Sequence, residues 1–261
     1  MRDDAAAAPS GLPVVRRFEA AGFRAWPAAS VHYDGTWVIR LTAGHPAKRL
    51  NSVNPLDPGD QGNLPERIAR ASRRFEAYGR APTFRISPLA GDALSTHLDA
   101  RNWSRFSESV VMSVPLADMD LEDVVTQIPI RDMTRFIGAA MEVHGADPSL
   151  RAGLSEVIGS IEPETGLFLI EENERAVASA ICVHDGDLGG LFEVGTASGQ
   201  RGKGIGRQVV RTALKWARLR GARTGWLQVE ADNAPAIALY RSLGFGEVYR
   251  YHYRQPPGAD R

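Results

Sequence analysis

Three glycines at alternate positions, Gly202, Gly204 and Gly206, interrupt the basic run Gln200-Arg201-Gly202-Lys203-Gly204-Ile205-Gly206-Arg207. The run joins an apolar strand-like segment, Leu191 to Thr196, to a helical one. Glycines spaced in this way let the main chain turn with its N–H groups inward, and the helix that follows adds the positive end of its dipole. With Arg201, Lys203 and Arg207 at the same spot, the chemistry is capture of a phosphate or pyrophosphate. Two other phosphate binders fail on spacing. A Walker A loop requires Ser or Thr after its lysine, where Gly204 stands, and a glycine at Ala197. A dinucleotide fingerprint counted from Gly202 requires a glycine at Arg207 and an acid about 20 residues on, near Thr224-Gly225.

A second stretch, Asn233-Ala234-Pro235-Ala236-Ile237-Ala238-Leu239-Tyr240-Arg241-Ser242-Leu243-Gly244-Phe245, reads as a capped helix that presents a tyrosine and closes on a glycine turn. A phenol with a reference pKa near 10 stays protonated at neutral pH, so Tyr240 is either a proton donor or a core tyrosine whose hydroxyl orients a ligand. Glu193 lies inside an apolar strand, where an unpaired carboxylate is costly; it is functional or it is paired with an arginine. Glu230 and His252 are reserve bases, although a histidine on a closing strand such as His252 is more often a satisfied structural one. The single cysteine, Cys182, sits in the apolar run Ala176 to Val183 and reads as a small core residue.

Together the two stretches resemble the acyl-CoA-binding motifs of the GCN5-related N-acetyltransferases (GNAT). The pattern Gln or Arg, two residues, Gly, one residue, Gly or Ala is met by Arg201, Gly204 and Gly206. The pattern Asn, then Ala, Leu-Tyr and Gly-Phe is met by Asn233, Ala236, Leu239-Tyr240 and Gly244-Phe245. The resemblance implies an enzyme that uses acetyl-CoA as acyl donor, without a metal, and transfers the acetyl group to a primary amine by direct attack in a ternary complex. It places the pyrophosphate on Arg201, Gly202, Lys203, Gly204, Ile205 and Gly206, with Arg207 adding charge. It places the pantetheine chain along Val194, Gly195 and Thr196 and against Asn233, with Gly195 available for the bulge that parts this strand from the next. An N–H of Val194 or Gly195 would then stabilise the developing oxyanion, Tyr240 would be the general acid, and Glu193 the general base. The rival reading is a catalytically silent acyl-CoA-binding regulatory or interaction module, which would not need the phenol.

The elements that must position these residues follow from periodicity. Residues 133–144 and 150–161 and the segment from Gly206 to about Gly221 read as helices, and 166–171, 176–184, 191–196, 224–230 and 247–254 as strands. Before them come a leader, Met1 to Pro13, then a helix at 15–22, a strand at 36–41, a Pro/Gly/Asn/Asp-rich loop at 51–63, a helix at 64–78, and a strand, helix and strand across 82–114. The strings Arg49-Leu50-Asn51-Ser52-Val53-Asn54-Pro55-Leu56, Phe84-Arg85-Ile86-Ser87-Pro88 and Val248 to Arg254 look like bacterial tandem acetyltransferases with a cofactor-less first half. The fold implied is α/β (α+β), two tandem GNAT-like domains with mixed central sheets flanked by helices. Residues 14–117 would form the degenerate copy, 118–127 an acidic linker and 128–261 the catalytic copy. Polar residues of the first half and the last strand, Asn51, Ser52, Arg85 and His252, are the candidates for an acceptor pocket.

With 261 residues and 43% hydrophobic content the chain supports a sizeable core. A net formal charge of zero gives no global field toward nucleic acid or an anionic membrane, and no apolar run approaches a membrane span. The expected partner is a small-molecule or peptide amine, and the expected compartment is the cytoplasm.

Overall fold

The computed structural model describes residues 11–259. The first half runs α1 (Leu12–Ala25), β1 (Ser30–Asp34), β2 (Trp37–Leu41), β3 (Ser52–Pro55), α2 (Leu64–Glu76), β4 (Phe84–Ile86), α3 (Asp92–Asp99) and β5 (Ser104–Pro115). The second runs α4 (Met133–His144), α5 (Arg151–Gly159), β6 (Glu164–Glu172), β7 (Arg175–Asp185), β8 (Leu188–Thr196), α6 (Ile205–Leu219), β9 (Thr224–Glu230), α7 (Ala234–Ser242) and β10 (Gly246–Gln255). Most of the expected leader lies outside the described residues. Leu12 and Pro13 do not belong to it: they open α1, with proline in the first turn, where its missing N–H is harmless.

The strands form one mixed sheet in the order β1-β2-β3-β4-β10-β5-β9-β8-β7-β6, where the sequence implied separate sheets. The joint is β10. It pairs antiparallel with β4 on one side and β5 on the other, so the last strand of the chain lies between two strands of the first half. β5 in turn pairs with β9, from Ser109↔Glu230 to Pro115↔Thr224. Two strands escaped the sequence reading. β1 is an edge strand with alternating exposure, and β3 lies within the supposed loop because its Asn and Pro resemble turn residues. Asn54 satisfies its amide internally, donating to Val38 O at 3.0 Å and to Ser52 O at 2.8 Å.

Three apolar cores hold the helices on the sheet. Helix α6 is amphipathic: Val209, Val210, Ala213, Leu214, Trp216 and Ala217 are all buried against β6, β7 and β8. Each large apolar side chain so buried stabilises the helix's seat by roughly 1.5–3 kcal/mol. Helix α4 starts where the Asp132 side chain accepts from Arg135 N at 2.9 Å and ends at Gly145, whose φ is 62°. Both helices therefore present fixed ends to the end of the sheet where β8 and β9 diverge. Among the described residues, no helix is long and apolar enough to cross a membrane.

Candidate active site

A cleft of about 570 Å³ opens between the end of β8, the start of α6, α7 and the last turn of α4. It collects Val194, Gly195, Thr196, Arg201, Gly202, Gly204, Ile205, Gly206, Arg207, Asn233 and Tyr240, which is every expected cofactor residue but Lys203. Gly202 and Gly204 have φ of 78° and 82°, the left-handed region that L side chains avoid, and open space surrounds both. They are glycines for backbone reasons alone. Gly206 answers to packing instead, since a β-carbon there would sit 3.1 Å from Thr196 Oγ1 and 3.4 Å from Leu239 Cδ2. Among the described residues, Arg201, Lys203 and Arg207 have no carboxylate partner. Arg201 donates to Thr196 O (3.4 Å), Lys203 to Gln200 Oε1 (2.6 Å) and Arg207 to Ser242 Oγ (2.8 Å). Three uncompensated cations, turned glycines and a helix N-terminus fit a pyrophosphate.

Asn233 does two jobs at once. Its Oδ1 accepts from Ala236 N at 3.2 Å, capping α7, and it lines the cleft. Helix α7 carries Tyr240, which is 6% exposed, and burial pushes its phenol up to about 12. The ring packs 5.7 Å from Phe245, yet among the described residues its hydroxyl has no hydrogen-bond partner. A purely structural tyrosine with a buried ring usually has one.

The bulge exists, but one turn of the pleat away from its expected place. Phe192 faces Ile181 and Gly195 faces Ser179, so Glu193 and Val194 together oppose the single residue Ala180. The distorted residue is Glu193, with φ of 47°, while Gly195 is required by crowding: a β-carbon there would meet His144 Cε1 at 2.6 Å. The carbonyl of Glu193 accepts from Ser179 Oγ at 3.1 Å and lies 3.3 Å from His144 Nε2. Its carboxylate approaches the same His144 nitrogen at 3.9 Å. A non-glycine residue held in this conformation stores roughly 1–3 kcal/mol, which persists only where neighbours fix it. The parallel pairing of β8 with β9 stops at Leu191↔Leu227, so Glu193 stands where the two strands part.

Across that opening lies a second cleft of about 300 Å³. It is formed by His45 to Arg49 of the β2–β3 connection with Ser109 of β5, Gln228, Val229 and Glu230 of β9, and Tyr251 and Tyr253 of β10. The carboxylate of Glu193 is close enough to raise the pKa of His45, although burial, the largest influence, and the cations of Arg80 and Arg49 bring it below the usual imidazole value. Glu193 thus lies between His144 of the first cleft and His45 of the second. The sequence reading missed both histidines, because neither belongs to a spaced motif.

The candidates for acceptor binding are placed differently. Asn51 uses its whole amide internally, accepting from Thr42 N at 2.8 Å and donating to His45 O and Ala47 O. Ser52 is fully buried beside Asn54. Arg85 is consumed by an ion pair with Glu19 and lines a void of about 10 Å³. His252 lies outside both clefts, and burial lowers its pKa to about 4. None of the four is on the wall of the second cleft: Asn51 and Ser52 are held inside the first half, and Arg85 and His252 lie on the pairing of β4 with β10. The reserve base Glu230 is on that wall. Cys182 is buried and its thiol is pushed up by burial, as a core residue should be.

Residues 134–245 match the model of the Acetyltransferase (GNAT) family. The uncharacterized N-acetyltransferase YobR of Bacillus subtilis is 26% identical over 92% of this chain and 98% of its own length. A GCN5-related N-acetyltransferase from Kribbella flavida superposes with a TM-score of 0.69 at 20% identity, over 94% of this chain and 96% of that one. A tandem GNAT protein from the clavulanic acid biosynthesis pathway superposes with a TM-score of 0.59 at 14% identity, over 98% and 90%. The family model covers the segment that builds the cradle, the bulge and the Tyr240 helix, and it is this segment, residues 134–245, that belongs to the Acetyltransferase (GNAT) family.

Proposed function

We propose that this chain transfers an acetyl group from acetyl-CoA to a primary amine of a small-molecule or peptide acceptor, by direct attack in a ternary complex. The observation that carries this reading is the unpartnered hydroxyl of buried Tyr240 in the same cleft as the glycine cradle. A module that only bound acyl-CoA would need the cradle and not the free phenol.

The roles follow from position. The turn at Gly202 to Gly204 and the start of α6 hold the pyrophosphate, with Arg201 and Arg207 at the rim. Val194 to Thr196 give the pantetheine a strand edge, since β9 has left β8 by that point. An acceptor amine with a pKa near 10.4 arrives protonated, and Glu193 at the parting of the strands takes that proton. Attack by the freed amine leaves a second proton to be lost from the nitrogen of the tetrahedral adduct. As the adduct collapses, Tyr240 gives its proton to the departing thiolate and regains one from that N–H, while the proton on Glu193 passes to solvent, so an ammonium and acetyl-CoA give amide, free CoA thiol and one released proton. We also read residues 14–117 and 128–261 as tandem copies joined by 118–127, of which only the second carries a cradle; the likeness in fold to a tandem GNAT protein supports this.

Calorimetry should give one acetyl-CoA site per chain, and an amine panel should release free thiol. Gly204→Glu should abolish that binding: it forces a side chain onto a φ of 82° and sets a carboxylate against the pyrophosphate. Two equivalent sites, or unchanged binding in G204E, would sink the assignment of the cradle.

A further inference from the structure

We infer that the acceptor is a small amine bearing a carboxylate, and that Arg49 and Lys48 hold this carboxylate in the second cleft. The inference rests on the acetyl transfer proposed above and names the substrate class of that site.

Its ground is a separation of charge. Among the described residues, Arg49 is half-buried and its guanidinium has no hydrogen bond and no carboxylate. Its charged neighbours make matters worse. It depresses the pKa of both Arg40 and His45, and Arg40 itself is buried with only the carbonyls of Trp26 and Arg49 to receive its protons. Lys48 likewise has no acid partner; its ammonium lies 5.7 Å from the Phe106 ring. A half-buried guanidinium costs free energy unless a counter-charge arrives, and its planar fork suits a carboxylate in a two-point contact. Beside it, the buried hydroxyl of Tyr253 makes no well-formed hydrogen bond, although it lines the same cleft.

The other pole of the cleft is negative. Glu230 lines it, exposed and, among the described residues, without an ion pair, and the charge of Glu193 reaches His45 on its wall. Lys48 and Arg49 at one pole and Glu230 and Glu193 at the other hold two charges of each sign apart, a separation that a zwitterion matches with its carboxylate at the first pole and its ammonium at the second. An amine carrying a carboxylate would lay its anion on Arg49 and its ammonium toward Glu193, the group that must deprotonate it. The volume of about 300 Å³ is at the small end for ligand pockets, so it suits an amino-acid-sized molecule rather than a folded protein surface.

The test compares thiol release from acetyl-CoA with the common amino acids and with their carboxamides, which keep the amine and lose the negative charge. The carboxamide amine is the less basic of the two and is more often unprotonated at neutral pH, so its intrinsic reactivity works against the expected result. The best acid should exceed its amide in kcat/KM by about 10- to 100-fold, the range that one charge-assisted hydrogen bond spans. Arg49→Gln should erase the preference through KM with kcat held, and Arg49→Lys should keep part of it. Wild-type acetyl-CoA affinity in each variant shows that it is folded; should R49Q fail that check, Lys48→Gln takes its place and should shrink the same ratio. Amides accepted as well as acids, an unchanged ratio in the variants, or no acid accepted while acetyl-CoA still binds would overturn the inference and leave the cofactor reading standing. Loss of acetyl-CoA binding in the wild type would instead defeat the proposed function and this inference with it.

Discussion

Tyr240→Phe lowers kcat by about 10²- to 10⁴-fold, the usual worth of a positioned general acid, and leaves acetyl-CoA affinity at the wild-type value. The separation is expected because the ring, which packs beside Phe245, survives the change, and only an unpartnered hydroxyl is lost. No buried partner is stranded, so stability is also kept. The pH profile gives a second check. An acid must be protonated to act, and burial raises this phenol to about 12, above its ordinary value of 10.0. The wild-type rate should therefore show no loss attributable to Tyr240 as pH rises through 10, where an ordinary phenol would already be half ionised. Steady-state kinetics with calorimetry on the same samples measures both. An unchanged rate in Y240F would make the tyrosine a packing residue and return the silent-module reading to consideration.

The lining of the first cleft was legible in the sequence because its signals are local. A left-handed glycine turn before a helix, and an asparagine cap seven residues before a tyrosine, are patterns within a few residues of each other, so spacing alone reports them. The bulge was legible only as an expectation about one glycine. Deciding between Gly195 and Glu193 requires the partner strand, and the partner shows that Gly195 is small because His144 lies against it. The second cleft was not legible at all. Its walls come from residues 45–49, 109, 228–230, 251 and 253, which share no period and meet only because β10 is laid between β4 and β5. For the same reason polar residues of the first half looked like ligands. Buried Asn, Ser and Arg demand partners, and sequence alone cannot tell a substrate from Glu19, 66 residues before Arg85.

Arg85→Ala is expected to destabilise the fold by about 3–5 kcal/mol, the cost of stripping one member from a buried ion pair. Arg85 and Glu19 are 4% and 3% exposed, and their contact ties α1 to β4. The pair does not stand alone. Tyr249 Oη donates to Glu19 Oε1 at 2.5 Å, the guanidinium lies 3.6 Å from the Tyr251 ring centroid, and Tyr251 Oη and Arg85 both donate to Gln228 Oε1. The network therefore fastens α1, β4, β9 and β10 together, across the place where the last strand enters the first half's sheet. Removing the cation leaves Glu19 buried with a tyrosine hydroxyl but no counter-charge. In R85A burial should raise the Glu19 pKa above its unfolded value, so the deficit is full near neutral pH and narrows as pH falls through that raised pKa. Urea unfolding at pH 7.5 and pH 5 measures this directly. Glu19→Leu with Arg85→Met, which removes both charges and keeps much of the volume, should recover most of the loss, since apolar replacements of buried pairs are often neutral. A deficit equal at both pH values, or a double variant as unstable as R85A, would show that the pair acts through packing and not through charge. If R85A were instead fully stable and raised only the acceptor's KM, Arg85 would be a substrate ligand after all, and the network drawn here would not be what holds the sheet together.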